Sequence, residues 1–211
     1  MHLSTLRKSL INAVAGAALV AGGVTAAVAA NPADQVVRVR GTVASLSGDQ
    51  LQVNSREGKA VTITLNKGWR ASAVVKASIS DIKPGDFVGI ASLPKSAGGD
   101  GALEVLIFPP ALKGTGEGSY GWDLKPNSTM TNATVGDAVK SVDGSTVTVN
   151  YHGKEKKISI PNGTPVVTLA PATADDVKPG TAVFIPSQKD ANGMLSTGQL
   201  IVGKNGVVPP M

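Results

Sequence analysis

The chain repeats itself, and the repeat constrains the fold more than any other feature. Asp81-Ile82-Lys83-Pro84-Gly85-Asp86-Phe87-Val88-Gly89-Ile90 is echoed by Asp176-Val177-Lys178-Pro179-Gly180-Thr181-Ala182-Val183-Phe184-Ile185, 95 residues further on. The flanks agree. Gly48–Asn54 aligns with Gly144–Asn150, Val74-Val75 with Val166-Val167, and Asp100-Gly101-Ala102-Leu103 with Asn192-Gly193-Met194-Leu195. A period of this length means one structural unit used twice.

Each copy alternates with a period of two. Val37, Val39 and Val43 are interleaved with Arg38, Arg40 and Thr42, and Val61, Ile63 and Leu65 with Thr62 and Thr64. In the second copy Val147 and Val149, then Ile158 and Ile160, do the same. This is the pattern of strands that bury one face. Ser47-Gly48-Asp49, Arg56-Glu57-Gly58, Asp143-Gly144 and His152-Gly153 supply hairpin turns, and Ser80–Gly85 reads as one helical turn closed by Pro-Gly. Asp175-Asp176, ahead of Lys178-Pro179-Gly180, suits a capped turn better than a calcium loop. Short strands in so small a unit bury too little surface as an open sheet. The expectation is therefore all-β: two tandem small β-barrels, OB-like or SH3-like, at 36–108 and 134–203, with a single β-sandwich as the other arrangement.

Residues 109–133 belong to neither copy, and 204–211 form a tail. The connecting segment is too long for an ordinary loop. It holds Tyr120 and Trp122, two of the four Tyr and Trp residues in the chain. A flexible linker rarely contains them. Trp122 could wedge between the barrels, or Tyr120 and Trp122 could form an aromatic platform for a ligand with Glu117 and Asp123 as polar contacts. The run Gly114-Thr115-Gly116-Glu117-Gly118 lacks the Gly-Lys-Ser/Thr ending of a phosphate loop.

At the N-terminus, Arg7-Lys8, an apolar stretch from Leu10 to Ala30 and small residues before Asn31-Pro32 make the three parts of a secretory signal. We expect a signal helix in residues 1–30, cleaved after Ala29 or Ala30, and a mature chain that is periplasmic or secreted. Retention of the stretch as an anchor is the other reading. Without cysteine, neither lipidation nor disulfides are open to the chain. Loss of Arg7 and Lys8 takes the formal charge from +5 to +3, a dispersed excess that does not read as a nucleic-acid surface. Lys154, Lys156 and Lys157 suit a solvated hairpin.

The usual catalytic sets are absent from the sequence. After the signal the one histidine is His152, with no nucleophile-elbow motif to complete a triad. Zinc sites need several His or Cys ligands. A copper(I) set of Met130, Met194 and His152, with Met211, lacks the close spacing of a Met-rich motif. Core filling by Met194 and a disordered end at Met211 are the simpler expectations.

The opening Arg40-Gly41-Thr42-Val43, the Asp81–Gly89 turn, the stretch from Gly114 through Trp122-Asp123-Leu124, Met130–Val135 and the closing Val208-Pro209-Pro210-Met211 resemble a family of uncharacterised exported bacterial proteins. That family is built on a small β-barrel domain of unknown function. Some relatives carry the label metal ABC transporter permease, which this chain does not support, since nothing after the signal is long and apolar enough to span a bilayer. In the family a His often stands where this chain has Ser119, so the resemblance implies no metal role for the connecting segment here.

The expected function is an exported, non-enzymatic envelope or periplasmic module, without a cofactor. It would bind an envelope protein, a polymer or a small ligand, with no nucleic acid and no stable membrane insertion after cleavage. A periplasmic metal-handling accessory protein is the alternative.

Overall fold

The computed structural model describes residues 35–141 and 144–211. The expected signal peptide lies outside them. Among the described residues twelve strands follow one another, with only single 3-10 turns between: β1 (Gln35–Ser47), β2 (Gln50–Ser55), β3 (Ala60–Lys76), β4 (Phe87–Pro94), β5 (Asp100–Ile107), β6 (Gly118–Trp122), β7 (Ser128–Ser141), β8 (Gly144–Tyr151), β9 (Lys154–Pro161), β10 (Val166–Pro171), β11 (Ala182–Lys189) and β12 (Leu195–Gly203). The fold is all-β, as the alternation requires. No helix among the described residues is long and apolar enough to cross a membrane.

Strand pairing departs from one barrel per copy. Strands β1, β2, β3, β12 and β11 pair in that order and β11 returns to β1, which closes a five-stranded barrel. Three of its strands come from the first copy and two from the second. Outside it, β4, β5, β9, β8 and β7 pair in a second circuit, with β5 and β9 meeting only at Asp100↔Ile158 and Gly101↔Ser159. Each copy thus sends its last two strands to the other, and the expected boundaries 36–108 and 134–203 do not coincide with the circuits.

The cores follow the exchange. Leu51, Val53 and Ile63 from the first copy pack with Val183, Ile185 and Leu200 from the second, all buried inside the barrel. Val88, Ile90 and Val105 from the first copy pack with Val147, Val149 and Ile158 from the second. Each fully buried aliphatic side chain contributes about 1.5–3 kcal/mol relative to exposure. Neither core is therefore complete without both halves of the chain.

Register shows how closely the halves correspond. Arg40 faces Phe184 and Thr42 faces Ala182 between β1 and β11; Asn132 faces Gly89 and Thr134 faces Phe87 between β7 and β4. Both long strands carry a bulge, after Val43 in β1 and after Val135 in β7. A bulge bends its strand and raises its twist, which helps a short sheet curl shut. The 3-10 turns Ile79–Asp81 and Ala174–Asp176 also correspond. In each, the last Asp accepts a hydrogen bond from the backbone N–H that opens the turn, Asp81 from Ser78 at 2.8 Å and Asp176 from Thr173 at 2.9 Å. Those bonds hold both carboxyls below the usual carboxylate range. With no insertion before these turns, Val74 corresponds to Leu169 rather than to Val166. Val74 and Leu169 are also paired with each other across β3 and β10, so the pseudo-twofold axis passes beside them.

A polar cluster reinforces the narrow β5–β9 closure. Lys156 Nζ lies 2.5 Å from Asp100, which also accepts from the buried Ser92 hydroxyl at 3.0 Å. Lys156 reaches Thr129 and Thr131 as well, each at 3.3 Å, while the Ser159 hydroxyl donates to the Asp100 carbonyl at 3.2 Å. These side chains are mutually satisfied, which marks them as a clasp.

Candidate functional site

The connecting segment is an added β-hairpin rather than a linker. Strand β6 pairs antiparallel with the start of β7, placing Tyr120 opposite Met130 and Trp122 opposite Ser128. The second copy accordingly begins at Ser128, inside the stretch 109–133. The Asn132 amide ties the hairpin down, donating to the Thr115 and Gly116 carbonyls at 3.3 and 3.1 Å and to the Tyr120 hydroxyl at 3.1 Å. Gly116 turns there with a φ of 59°, a region that favours glycine, and an added Cβ would lie 3.1 Å from the Asn132 amide.

Between the barrel, the second circuit and this hairpin lies a cleft of about 320 Å³. Phe184 and Ile201 face it from the barrel, and Leu106, Met130 and Asn132 from the other side. Tyr120 and Trp122 close one end, and Pro210 and Met211 of the tail line another part. The outward-facing residues of the strands, which simple alternation assigns to solvent, form this seam.

Glu104 is the chemically unusual group. It sits on β5 opposite Ala91, lines the cleft and is 3% exposed. Its Oε1 has no hydrogen-bond partner. Burial pushes its carboxyl up to about 8, against the opposing pull of Arg40 and Arg56. Near neutrality it is mostly the protonated acid, a hydrogen-bond donor in an apolar cleft. The Trp122 indole Nε1 is likewise buried without a partner. The Tyr120 hydroxyl accepts from Asn132 and keeps its own hydrogen to donate. Burial raises the Tyr120 hydroxyl above its ordinary value, while Arg38 pulls the other way.

Two arginines brace the aromatic end. The Arg38 guanidinium lies 4.1 Å from the Trp122 ring centroid, and that of buried Arg40 lies 5.1 Å from the Phe184 centroid. Asp123 pairs with Arg40 at 2.7 Å and with Arg38 at 3.8 Å. Partial burial raises the Asp123 carboxyl, but the Arg40 bond and the two positive charges outweigh it, leaving the group below the usual carboxylate range. Arg40 Nε also donates to the Met211 carbonyl, which ties the tail to the barrel.

Of the four residues expected at a ligand platform, Tyr120 and Trp122 line the cleft and Asp123 stands behind it through the arginines. Glu117 points elsewhere, accepting from the His152 backbone N–H at 2.9 Å. His152 occupies the β8–β9 turn with φ 46°, followed by Gly153 at 73°, as the His-Gly turn signal implies. Two methionine expectations are corrected. Met194 is 63% exposed in the β11–β12 turn, where it fills no core, and Met211 is 6% exposed, packed with Phe184 and Leu106 instead of lying disordered. Met130, His152 and Met194 lie on three separate elements, and no group of three or more His, Cys, Asp or Glu able to hold a metal ion occurs among the described residues.

The residues that sequence reasoning passes over are Glu104, Arg40 and Asn132. One signal is present: Ala102-Leu103-Glu104-Val105-Leu106 sets a single carboxylate inside an otherwise apolar strand. A larger groove of about 540 Å³ runs past Lys83, Asp86 and Lys113, and two of its charged side chains are already paired. Lys113 donates to the Gly85 carbonyl at 3.1 Å, and Asp86 accepts from the Lys83 N–H at 2.8 Å. No protein-family model, curated protein or solved structure matches this chain; the site stands on its own chemistry.

Proposed function

We propose that this chain is a non-enzymatic binding module that holds a small, largely apolar molecule in the cleft beside Glu104. The observation that carries the reading is Glu104 itself: 3% exposed, with Oε1 unpartnered at an apolar cleft. An unpaired buried polar atom costs roughly 1–3 kcal/mol. That cost makes sense where a ligand supplies the missing bond. Apolar walls with a few convergent polar groups are the general form of a small-molecule site.

The N-terminal signal pattern supports an exported, periplasmic or secreted protein. We read the five-stranded units as OB-like or SH3-like small barrels, here with their last strands exchanged. An envelope protein or polymer remains a partner for the outer faces. The metal-handling alternative gains no support from the positions of Met130, His152 and Met194.

The test is thermal unfolding of the full chain against a panel of small apolar molecules, alongside Gly89→Leu. Gly89 lies under the cleft, where even an added Cβ would come within 2.8 Å of the Asn132 side-chain oxygen and 3.2 Å of Phe108. Ligands should raise the unfolding temperature of the natural chain by linkage and leave the filled variant unmoved. Equal shifts in both proteins would place binding elsewhere.

A further inference from the structure

We infer that the cleft selects an uncharged molecule carrying a hydrogen-bond acceptor, such as a carbonyl or ether oxygen, received by the Glu104 carboxyl and the Trp122 indole N–H. This rests on the reading of the cleft as a ligand site and adds the class of ligand.

Three observations narrow the class. At the aromatic end, the indole N–H of Trp122 is buried without an acceptor, the Tyr120 hydroxyl keeps a hydrogen to donate, and the unpartnered Glu104 carboxyl is in a site whose burial favours its neutral form. A ligand that completes them supplies acceptors. An anion finds no free cation among the described residues at this end, since Arg40 is held by Asp123 and the Met211 carbonyl, and Arg38 lies against Trp122 beside the same Asp123. A cation meets the guanidiniums of Arg38 and Arg40, which already lie over Trp122 and Phe184 and would repel it. Leu106, Phe108, Leu112, Met130 and Leu169 supply a largely apolar wall.

The charged and titratable groups acting on Glu104 are Arg40 from β1 and Arg56 from the β2–β3 turn, with Tyr120 across the cleft and Asp123 behind Arg40. Burial holds Glu104 protonated near neutrality, so acceptor binding should weaken when that proton is lost.

A matched series on one ring system tests the inference: 2-acetylnaphthalene, 2-ethylnaphthalene, 2-naphthylmethylamine and 2-naphthoate, titrated into the full chain. The readout is the Trp122 indole N–H resonance, assigned through Trp122→Phe. Near pH 6 the ketone should bind about tenfold more tightly than the hydrocarbon, as one added buried hydrogen bond allows, and more tightly than either ion. Near pH 10 that advantage should fall severalfold. Glu104→Gln, whose amide still donates, should keep the advantage at both pH values, and Glu104→Leu should lose it. Tightest binding of the amine or the naphthoate, or an unchanged ketone preference in Glu104→Leu, overturns the inference while leaving the cleft as a binding site. If Glu104→Leu does not fold, a pH dependence that persists in Glu104→Gln overturns it instead. Failure of all four molecules to move the Trp122 signal overturns both the inference and the binding reading.

Discussion

The two walls of the cleft share a backbone and differ in chemistry. Arg40 opposite Phe184 on one side occupies the register position of Asn132 opposite Gly89 on the other. Arg38 opposite Pro186 likewise matches Met130 opposite Ala91. By strand register Gln199 of β12 is the counterpart of Glu104 of β5, which shifts Asp100 onto Leu195 rather than Asn192, and both line the cleft. One wall is large, cationic and braced by Asp123; the other is small, neutral and pinned by an amide. The two walls pair in corresponding registers, and different side chains at a few outward positions make the site one-sided. The interiors differ less: both are packed mainly with Val and Ile, and the barrel adds Leu51, Leu65 and Leu200.

The largest test breaks the chain's interiors rather than its walls. Ile63→Ala in the barrel and Ile158→Ala in the second circuit should each cost about 2–5 kcal/mol. Because each core takes strands from both halves, calorimetry should show one transition displaced by either change. Two separable transitions would mean that the circuits fold independently.

Next comes the acidic wall. Folded Glu104 keeps its proton to about 8, whereas the unfolded chain releases it near 4.5, so the folded state binds more protons between these values. Stability attributable to this group therefore falls as pH rises from about 4.5 to about 8 and levels off above. Glu104→Gln should stabilise the chain by about 2–4 kcal/mol near pH 9 and by almost nothing near pH 4, read from denaturant midpoints. An equal effect at both would remove the buried acid from the account.

Asn132→Ala should cost about 1–3 kcal/mol and loosen the hairpin, since the Thr115 and Gly116 carbonyls lose their donor. Amide exchange across β6 should quicken while exchange in β2 does not. The smallest effect belongs to the turns that the halves share. Asp81→Ala or Asp176→Ala should lower the unfolding temperature slightly at neutral pH. Both carboxyls are held below their ordinary value of 3.8, so this contribution is present above that value and disappears as pH falls through the depressed folded one. A difference that survives in strong acid would show that the capping carboxylate is not its source.

Much of the fold is legible in the amino-acid order. Valine alternation requires strands, Gly48, Gly58 and the His152-Gly153 pair locate turns, and the Asp81 and Asp176 segments locate the two capped turns. Tyr120 and Trp122 stand out because aromatic residues in a Gly-rich stretch need a reason to be there, as a packed wedge or as a ligand platform. Glu104 does not stand out, since a carboxylate on a strand ordinarily faces water. Met194 and Met211 run against expectation because burial depends on what packs against a residue, and both neighbourhoods form only at long range.

The sequence alone therefore determined the class of the fold and the location of its turns, because these depend on local backbone preferences and on a period of two. Which copy each closing strand would join was beyond it. Strands β4 and β11 offer nearly the same pattern to either set of partners, so local preference and burial favour neither pairing. Only the tertiary structure decided that they exchange. With that choice came the seam, the one-sided cleft and the buried acid, all of which arise from outward faces meeting across the molecule.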